Sequence, residues 1–260
     1  MHEHLTDIAR TDILGVRVWE LTIPRALDII SDSIATRAQS RFVFCTVHTI
    51  TECQSDPRLM EAVNGSSVAP DGMPLVWLSR RSGRKDVRRV YGPDMMLATC
   101  QAGVEAGYRH FFYGSTDETL AALVSRLSAR YPGIAVAGTY APPFRALSPE
   151  EDAGIVERIN AAAPDIVWVG LGMPKQELWI AEHQSRLVAP VLMAVGAAFD
   201  FHAGIVRQAP PWMQRSGLEW LFRLTQEPRR LWRRYLIGNT RFLWLLARSK
   251  MRGSRPAQPA

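Results

Sequence analysis

The chain has 260 residues, 47% of them hydrophobic, 22% charged and 9% aromatic, which allows one large α/β domain or two small ones and excludes wholesale disorder. Three cysteines, Cys45, Cys53 and Cys100, form no CxxC pair and leave one over, which argues against a disulfide scaffold or a cysteine zinc site and for a reducing compartment. The formal charge of +6 is unevenly spread: residues from 207 onward hold twelve Arg and Lys against two Glu, whereas the first 206 hold 19 basic against 23 acidic side chains. An acidic body with a basic, tryptophan-rich tail points to contact with an anionic surface, membrane or nucleic acid. The opening MHEHLTDIARTD has acidic residues and no apolar signal core, and no run approaches about 18 apolar residues, so neither export by a signal nor a membrane span is expected.

In chain order, apolar runs rich in strand formers occur at 41–47, 109–114, 134–140, 165–172 and 190–196. A helix is expected in TECQSDPRLMEAVNGS after the first run. The stretches 117–133 and 149–165 carry apolar residues at i, i+3, i+4 spacing and stop at Pro or Gly, so they read as helices. Near-continuous apolar strands alternating with helices imply a parallel sheet covered on both faces, with ligands bound beyond the carboxyl ends of its strands.

The strand ends are therefore where chemistry is sought. Thr46 and His48 follow the first strand, as substrate contacts or as a strand-end hydroxyl and a backbone-bonded imidazole. Pro70-Asp71-Gly72 is an ordinary turn signature, yet Val68, Ala69, Met73, Leu75, Val76 and Trp77 flank it, so Asp71 is expected in a semi-buried cleft where burial raises a carboxylate toward the range of a general base. RRVYGPDMM (88–96) and FFYGSTDE (111–118) read as two further strand-end turns. In the second, Gly114, Ser115 and Thr116 precede a helix and suit either a phosphate cradle or an N-cap with Glu118. Gly170-Leu171-Gly172 lets a ligand approach the backbone and opens a helix with Lys175, Gln176 and Glu177. It lacks the third glycine of a dinucleotide fingerprint. Asp200 and His202 follow the last strand. GxxxxGK[ST], HExxH and GxSxG are all absent, which removes most support for ATPase, zincin and hydrolase readings.

Taken as an ordered set, PDGMPLVW, RRVYGPDMM, FFYGS, PDIVWVGLGMPKQELW, VGAAFDFHAG and APPWMQRSGLEWLFRLTQEPRRLWRRYL resemble the WecG/TagA/CpsF family of bacterial glycosyltransferases over roughly residues 15–247. The resemblance implies a Rossmann-like α/β core (1–206), a basic helical C-terminal appendage (207–250) and a disordered tail (251–260). It implies inverting transfer of N-acetylmannosamine or a related hexose from UDP to a polyprenyl-diphosphate-linked sugar, with no cofactor and no essential metal. Asp71 then corresponds to the catalytic base. Thr46, His48, Gly72, Gly114, Ser115, Tyr140, Gly170, Gly172, Gln176, Glu177 and Asp200 fall around the substrates, and Arg223, Arg230 and Arg233 match arginines that close over the site and grip diphosphate. Where many relatives carry Asn near the first strand end, this chain has His48. With no DxD pair to hold a metal, guanidinium groups are the natural partners of the leaving diphosphate.

Pro228 is expected to start a helix. Projected at about 100° per residue, Arg230, Arg233, Arg234 and Arg241 share one arc, while Leu231, Trp232, Tyr235, Leu236, Phe242, Leu243 and Leu246 fall on the other. That pattern fits a helix lying in a membrane interface, here the inner face of the cell membrane, or a helix packed on the core or on a second protomer. Nucleic acid ranks last, because so broad an aliphatic face serves it poorly. A nucleotide-binding, membrane-recruited module without turnover and a dehydrogenase are the rival functions.

Overall fold

The computed structural model describes residues 8–253. Six parallel strands form the central sheet: β3 (Ser40–Cys45), β4 (Ser67–Pro70), β5 (Arg109–Gly114), β6 (Ala135–Tyr140), β7 (Ile166–Gly170) and β8 (Val191–Ala194), in the order β4-β3-β8-β7-β5-β6. The five expected strands are all present. The interior strands are buried on both faces, with Phe42, Phe111, Phe112, Tyr113 and Trp168 fully enclosed, which is why they read as unbroken apolar runs. Two further elements come from the structure. β4 is four residues long, pairs only with β3 and ends in Pro70, which an edge strand tolerates because proline has no N–H to donate. An antiparallel hairpin, β1 (Arg10–Ile13) and β2 (Val16–Trp19), turns through Leu14 and Gly15, both left-handed (φ 55° and 85°). Asn64 ties it to the body, accepting from Arg17 N (2.9 Å) and donating to Gly15 O (2.8 Å).

Helices cover the sheet: α1 (Ile23–Thr36), α2 (Val47–Cys53), α3 (Pro57–Asn64), α4 (Met73–Arg81), α5 (Gly92–Ala106), α6 (Asp117–Arg130), α7 (Pro149–Ala161), α8 (Lys175–His183) and α9 (Ala198–His202). The single helix expected after the first strand is two, because Asp56 caps α3 by accepting from Arg58 N and Leu59 N, and Pro57 occupies its first turn. Residues 88–91 are likewise not a strand end: one backbone bond, Val90 N to Pro70 O (2.9 Å), sets them beside β4, and another, Arg88 N to Leu21 O (3.3 Å), ties them to the segment before α1. The pairs β3–β4 and β5–β6 run to opposite edges while β7 and β8 return to the centre. The connections therefore diverge above the middle of the sheet and open a crevice at its carboxyl end.

The tail is a chain of helices, α10 (Pro211–Arg215), α11 (Glu219–Gln226), α12 (Pro228–Trp232) and α13 (Gly238–Gly253), with a π-helical turn at Arg233–Ile237 between the last two. α13 packs on α2 beside the crevice. Its last residues take in 251–253 of the stretch expected to be disordered, and 254–260 lie outside the described residues. The apolar face of the tail splits in two. Leu231, Tyr235 and Phe242 are buried against the body, whereas Trp232, Leu236, Ile237, Leu243 and Trp244 are exposed. No helix among the described residues is long and apolar enough to cross a membrane.

Candidate active site

The crevice holds two connected clefts. The larger, about 1010 Å³, is bounded by the carboxyl ends of β3, β7 and β8 and by the first turns of α8 and α9. The smaller, about 660 Å³, runs between α4 and the tail. Thr46, His48, Asp71, Glu219, Arg223 and Arg234 line both.

Asp71 sits at their junction because its turn is clamped to β3: Asp71 N and Gly72 N both donate to Cys45 O, at 3.0 and 3.2 Å. Its carboxylate is buried, and its contacts are thin. Arg89 Nη2 lies 3.2 Å from Oδ1, and Gly92 N 3.5 Å from Oδ2. Burial therefore prevails over the pull of Arg89 and raises its pKa to about 6. Arg89 also donates to Glu219 Oε2 (2.5 Å), and Tyr91 donates to Glu219 Oε1 (2.9 Å), with the Arg89 guanidinium 4.0 Å over the Tyr91 ring. Burial opposes the Arg89 cation, but the Asp71 and Glu219 carboxylates outweigh it and push its pKa up.

Thr46 caps α2 in a reciprocal box with Thr49 and faces both clefts. His48 lies within 3.6 Å of Glu52, yet burial and then Arg234 hold its pKa down to about 3, so near neutral pH the ring is uncharged and presents one donor and one acceptor. At the foot of the larger cleft, Gln176 Oε1 accepts from Gly172 N (3.1 Å) and its Nε2 donates to Glu177 Oε1 (3.0 Å). Gly172, at φ 76°, needs the freedom of glycine to expose that N–H. Glu177 is buried, its other oxygen has no partner among the described residues, and burial lifts its pKa to about 7. Asp200 lines the same cleft, raised by burial against the opposing pull of Arg230.

The structure brings Thr46, His48, Asp71, Ser115, Gly170, Gly172, Gln176, Glu177, Asp200, Arg223 and Arg230 to the larger cleft and Gly72 to the smaller. Three expected residues lie elsewhere. Gly114 (φ 126°) ends β5 directly beside Gly170 of the paired strand β7: a Cβ there would stand 2.6 Å from the Gly170 backbone. The helix cap after it is Thr116, which accepts from Thr119 N. Tyr140 stacks on Tyr113, and the Arg158 guanidinium also lies over its ring. Arg233 is exposed and lies over Trp232, and its place in both clefts is taken by Arg234. The two are neighbours about 100° apart around the helix, so the turn that points Arg234 into the clefts points Arg233 away from them. Arg89, Glu219 and Arg234 are additions from the structure. Arg89 stands inside the RRVYGPDMM motif and Glu219 inside GLEW, but nothing local to either marks a contact across 130 residues. Among the described residues no group of three or more His, Cys, Asp or Glu side chains is disposed to hold a metal ion.

A parallel α/β sheet with a basic helical tail over a two-chambered crevice at its strand ends defines a Rossmann-like fold. The chain belongs to the glycosyl transferase WecG/TagA/CpsF family, whose sequence model matches residues 11–256, and it is a glycosyltransferase. It is 33% identical over 187 residues, 71% of this chain and 70% of the relative, to the N-acetylglucosaminyldiphosphoundecaprenol N-acetyl-beta-D-mannosaminyltransferase of Bacillus spizizenii. The protein of the same name from Staphylococcus aureus strain MW2 is 27% identical over 251 residues, 95% of this chain and 96% of the relative.

Proposed function

We propose that this glycosyltransferase moves N-acetylmannosamine, or a closely related hexose, from UDP to a sugar carried on polyprenyl diphosphate, with inversion, at the inner face of the cell membrane. The donor occupies the larger and more polar cleft, and the acceptor reaches in through the smaller, more apolar one. The observation that carries this reading is the position of Asp71, a buried, weakly partnered carboxylate at the junction of the two. The names of the relatives, each an N-acetylmannosaminyltransferase acting on N-acetylglucosaminyldiphosphoundecaprenol, supply the substrate class.

In the proposed step, the Asp71 carboxylate takes the proton of the acceptor hydroxyl. The acceptor oxygen forms a bond to the anomeric carbon from the face opposite the nucleotide, and the bond from that carbon to diphosphate oxygen breaks. UDP leaves with the electron pair. Arg223, Arg230 and Arg234 line the larger cleft and stand ready to meet the developing charge. Guanidinium groups in that role make a metal unnecessary. The lining of the smaller cleft, Met73, Pro74, Trp77, Leu78, Trp220, Phe242, Leu243 and Leu246, suits an isoprenoid chain. The exposed Trp232, Leu236, Ile237 and Trp244 beside basic side chains suit an anionic bilayer, where each basic residue near the surface contributes about 1 kcal/mol.

The test is release of UDP from a panel of UDP-hexoses and UDP-N-acetylhexosamines by the purified chain, with a lipid-diphosphate N-acetylglucosamine acceptor present or absent. Acceptor-dependent release from UDP-N-acetylmannosamine is expected. Donor binding without turnover across the whole panel would overturn the reading in favour of a non-catalytic nucleotide-binding module.

A further inference from the structure

Arg89 is shared unequally. Its Nη2 stands 2.5 Å from Glu219 Oε2 and 3.2 Å from Asp71 Oδ1, while its Nε donates to the Asp71 backbone carbonyl (2.5 Å), so of the two carboxylates the tail's holds the nearer share of the guanidinium. Glu219 is itself fixed at both oxygens, by Arg89 on one side and Tyr91 O–H on the other, and Arg89 is sandwiched against the Tyr91 ring. Both carboxylates and the guanidinium are largely withdrawn from water, with side-chain exposures of 13 to 16%, so solvent screens their interaction little. Glu219 opens α11 of the tail, while Asp71, Arg89 and Tyr91 belong to the body. The ion triad therefore spans the joint between the two.

We propose that Glu219 is a positioning residue for the transfer reaction: docked with the tail, it draws Arg89 toward itself and leaves Asp71 free to accept a proton. This rests on the reading of Asp71 as the base. Without Glu219, Arg89 would pair with Asp71 alone and make it a poorer base, and a like charge beside Asp71 would also be lost. The tail thereby does more than supply arginines to the diphosphate. It completes the base only when it closes on the body, which ties proton removal to a formed acceptor groove.

The groups that face Asp71 are few. Cys45 approaches from the end of β3, Arg89 and Tyr91 from the segment before α5, Glu219 from α11 and Arg234 from the π turn. His48 lines the same cleft in its uncharged form, and Asp94 on α5 senses Arg89 and Glu219 rather than Asp71. Among the described residues Glu219 is the further carboxylate that acts on Asp71, so its removal has a defined sign.

The experiment follows the Asp71 side-chain carbon by 13C NMR across pH in the full chain, the signal being assigned by its loss in Asp71→Asn, alongside turnover over the same range. The titration midpoint is expected near 6 in the native chain. Glu219→Gln is expected to lower it by about one unit and to carry the acid limb of kcat down with it, whereas Glu219→Asp restores both. A Glu219→Gln protein that melts normally but keeps the native midpoint would overturn the proposal, as would a Glu219→Asp variant that behaves like Glu219→Gln. Failure of the base itself is read separately: Asp71→Asn would then keep full turnover, whatever the Glu219 variants do to the titration.

Discussion

The two clefts that meet at Asp71 differ in who builds them. The larger is a product of the sheet: strand ends and the first turns of α8 and α9 form most of it, and the tail adds Glu219, Arg223, Arg230, Leu231 and Arg234 along one side. The smaller has no such frame. It exists because the tail lies across α4, and Gln214, Trp220, Tyr235, Phe242 and Leu246 make one of its walls. A sheet edge is a rigid scaffold for a small polar donor, whereas a groove between helices adapts to a long apolar chain. The donor chamber should thus survive changes in the tail that destroy the acceptor chamber, and that difference is open to mutation.

The largest effect is expected at the junction. Asp71→Asn should lower turnover by about 10²- to 10⁴-fold while leaving UDP-sugar binding by calorimetry unchanged. Wild-type turnover in this variant would remove the base from the scheme. The same residue carries a stability signature. Its folded pKa, about 6, lies above the ordinary 3.8. The unfolded chain therefore releases the proton first, and the native fold loses stability as pH rises from about 4 through 6. Asp71→Asn lacks that loss, so its melting temperature relative to the native chain should climb between pH 4 and 7. A difference flat across that range would contradict the raised pKa.

Next comes the contrast between neighbouring arginines. Arg234 is half-buried and lines both clefts, its Nε buried and unpaired among the described residues, whereas Arg233 is exposed over Trp232. Arg234→Ala should reduce kcat/KM about 10- to 100-fold, the range for a lost charge-assisted hydrogen bond. Arg233→Ala should stay within about twofold with a soluble short-chain acceptor. Equal losses would mean that the tail turns differently when substrate is bound.

These arginines also mark how far the sequence reaches. The interior strands were legible because burial on both faces writes an unbroken apolar run. β4 was not, being four residues at an edge and closed by proline, and the hairpin escaped because Leu14, not Asn, Asp or Gly, takes the first of the two left-handed positions of its turn. Asp71 was legible because a Pro-Asp-Gly turn among apolar neighbours is a local anomaly. Arg89 and Glu219 were not, since their significance lies in a contact between body and tail. Arg234 was not singled out from Arg233, because a projection of the tail alone puts both on one arc and only the docking of the tail on the body shows which of them faces the clefts.

A third change separates the chambers by substrate. Trp77 on α4 lines only the acceptor groove and is 49% exposed, so it can be truncated without opening the core. Trp77→Ala should raise KM several-fold for a long polyprenyl acceptor and leave KM for the UDP-sugar unchanged. Loss of donor affinity would show that the two clefts do not divide the substrates as proposed.

The smallest effect concerns the outer face of the tail. Leu236, Ile237 and Trp244 are exposed and line neither cleft, while Leu231, Tyr235 and Phe242 from the same helices are buried against the body. A helix docked only on its own core has no use for the outer residues, and a helix lying free in a bilayer has none for the inner. Because both exist, the tail is read as a layer between body and membrane. Replacing Leu236, Ile237 and Trp244 together by Ser should weaken binding to vesicles containing anionic lipid and slow transfer to a bilayer-held acceptor a few-fold, with the melting temperature and turnover of a soluble acceptor unchanged. Undiminished vesicle binding would leave the outer residues to a second protein copy, which sedimentation of the native chain would then reveal as a dimer.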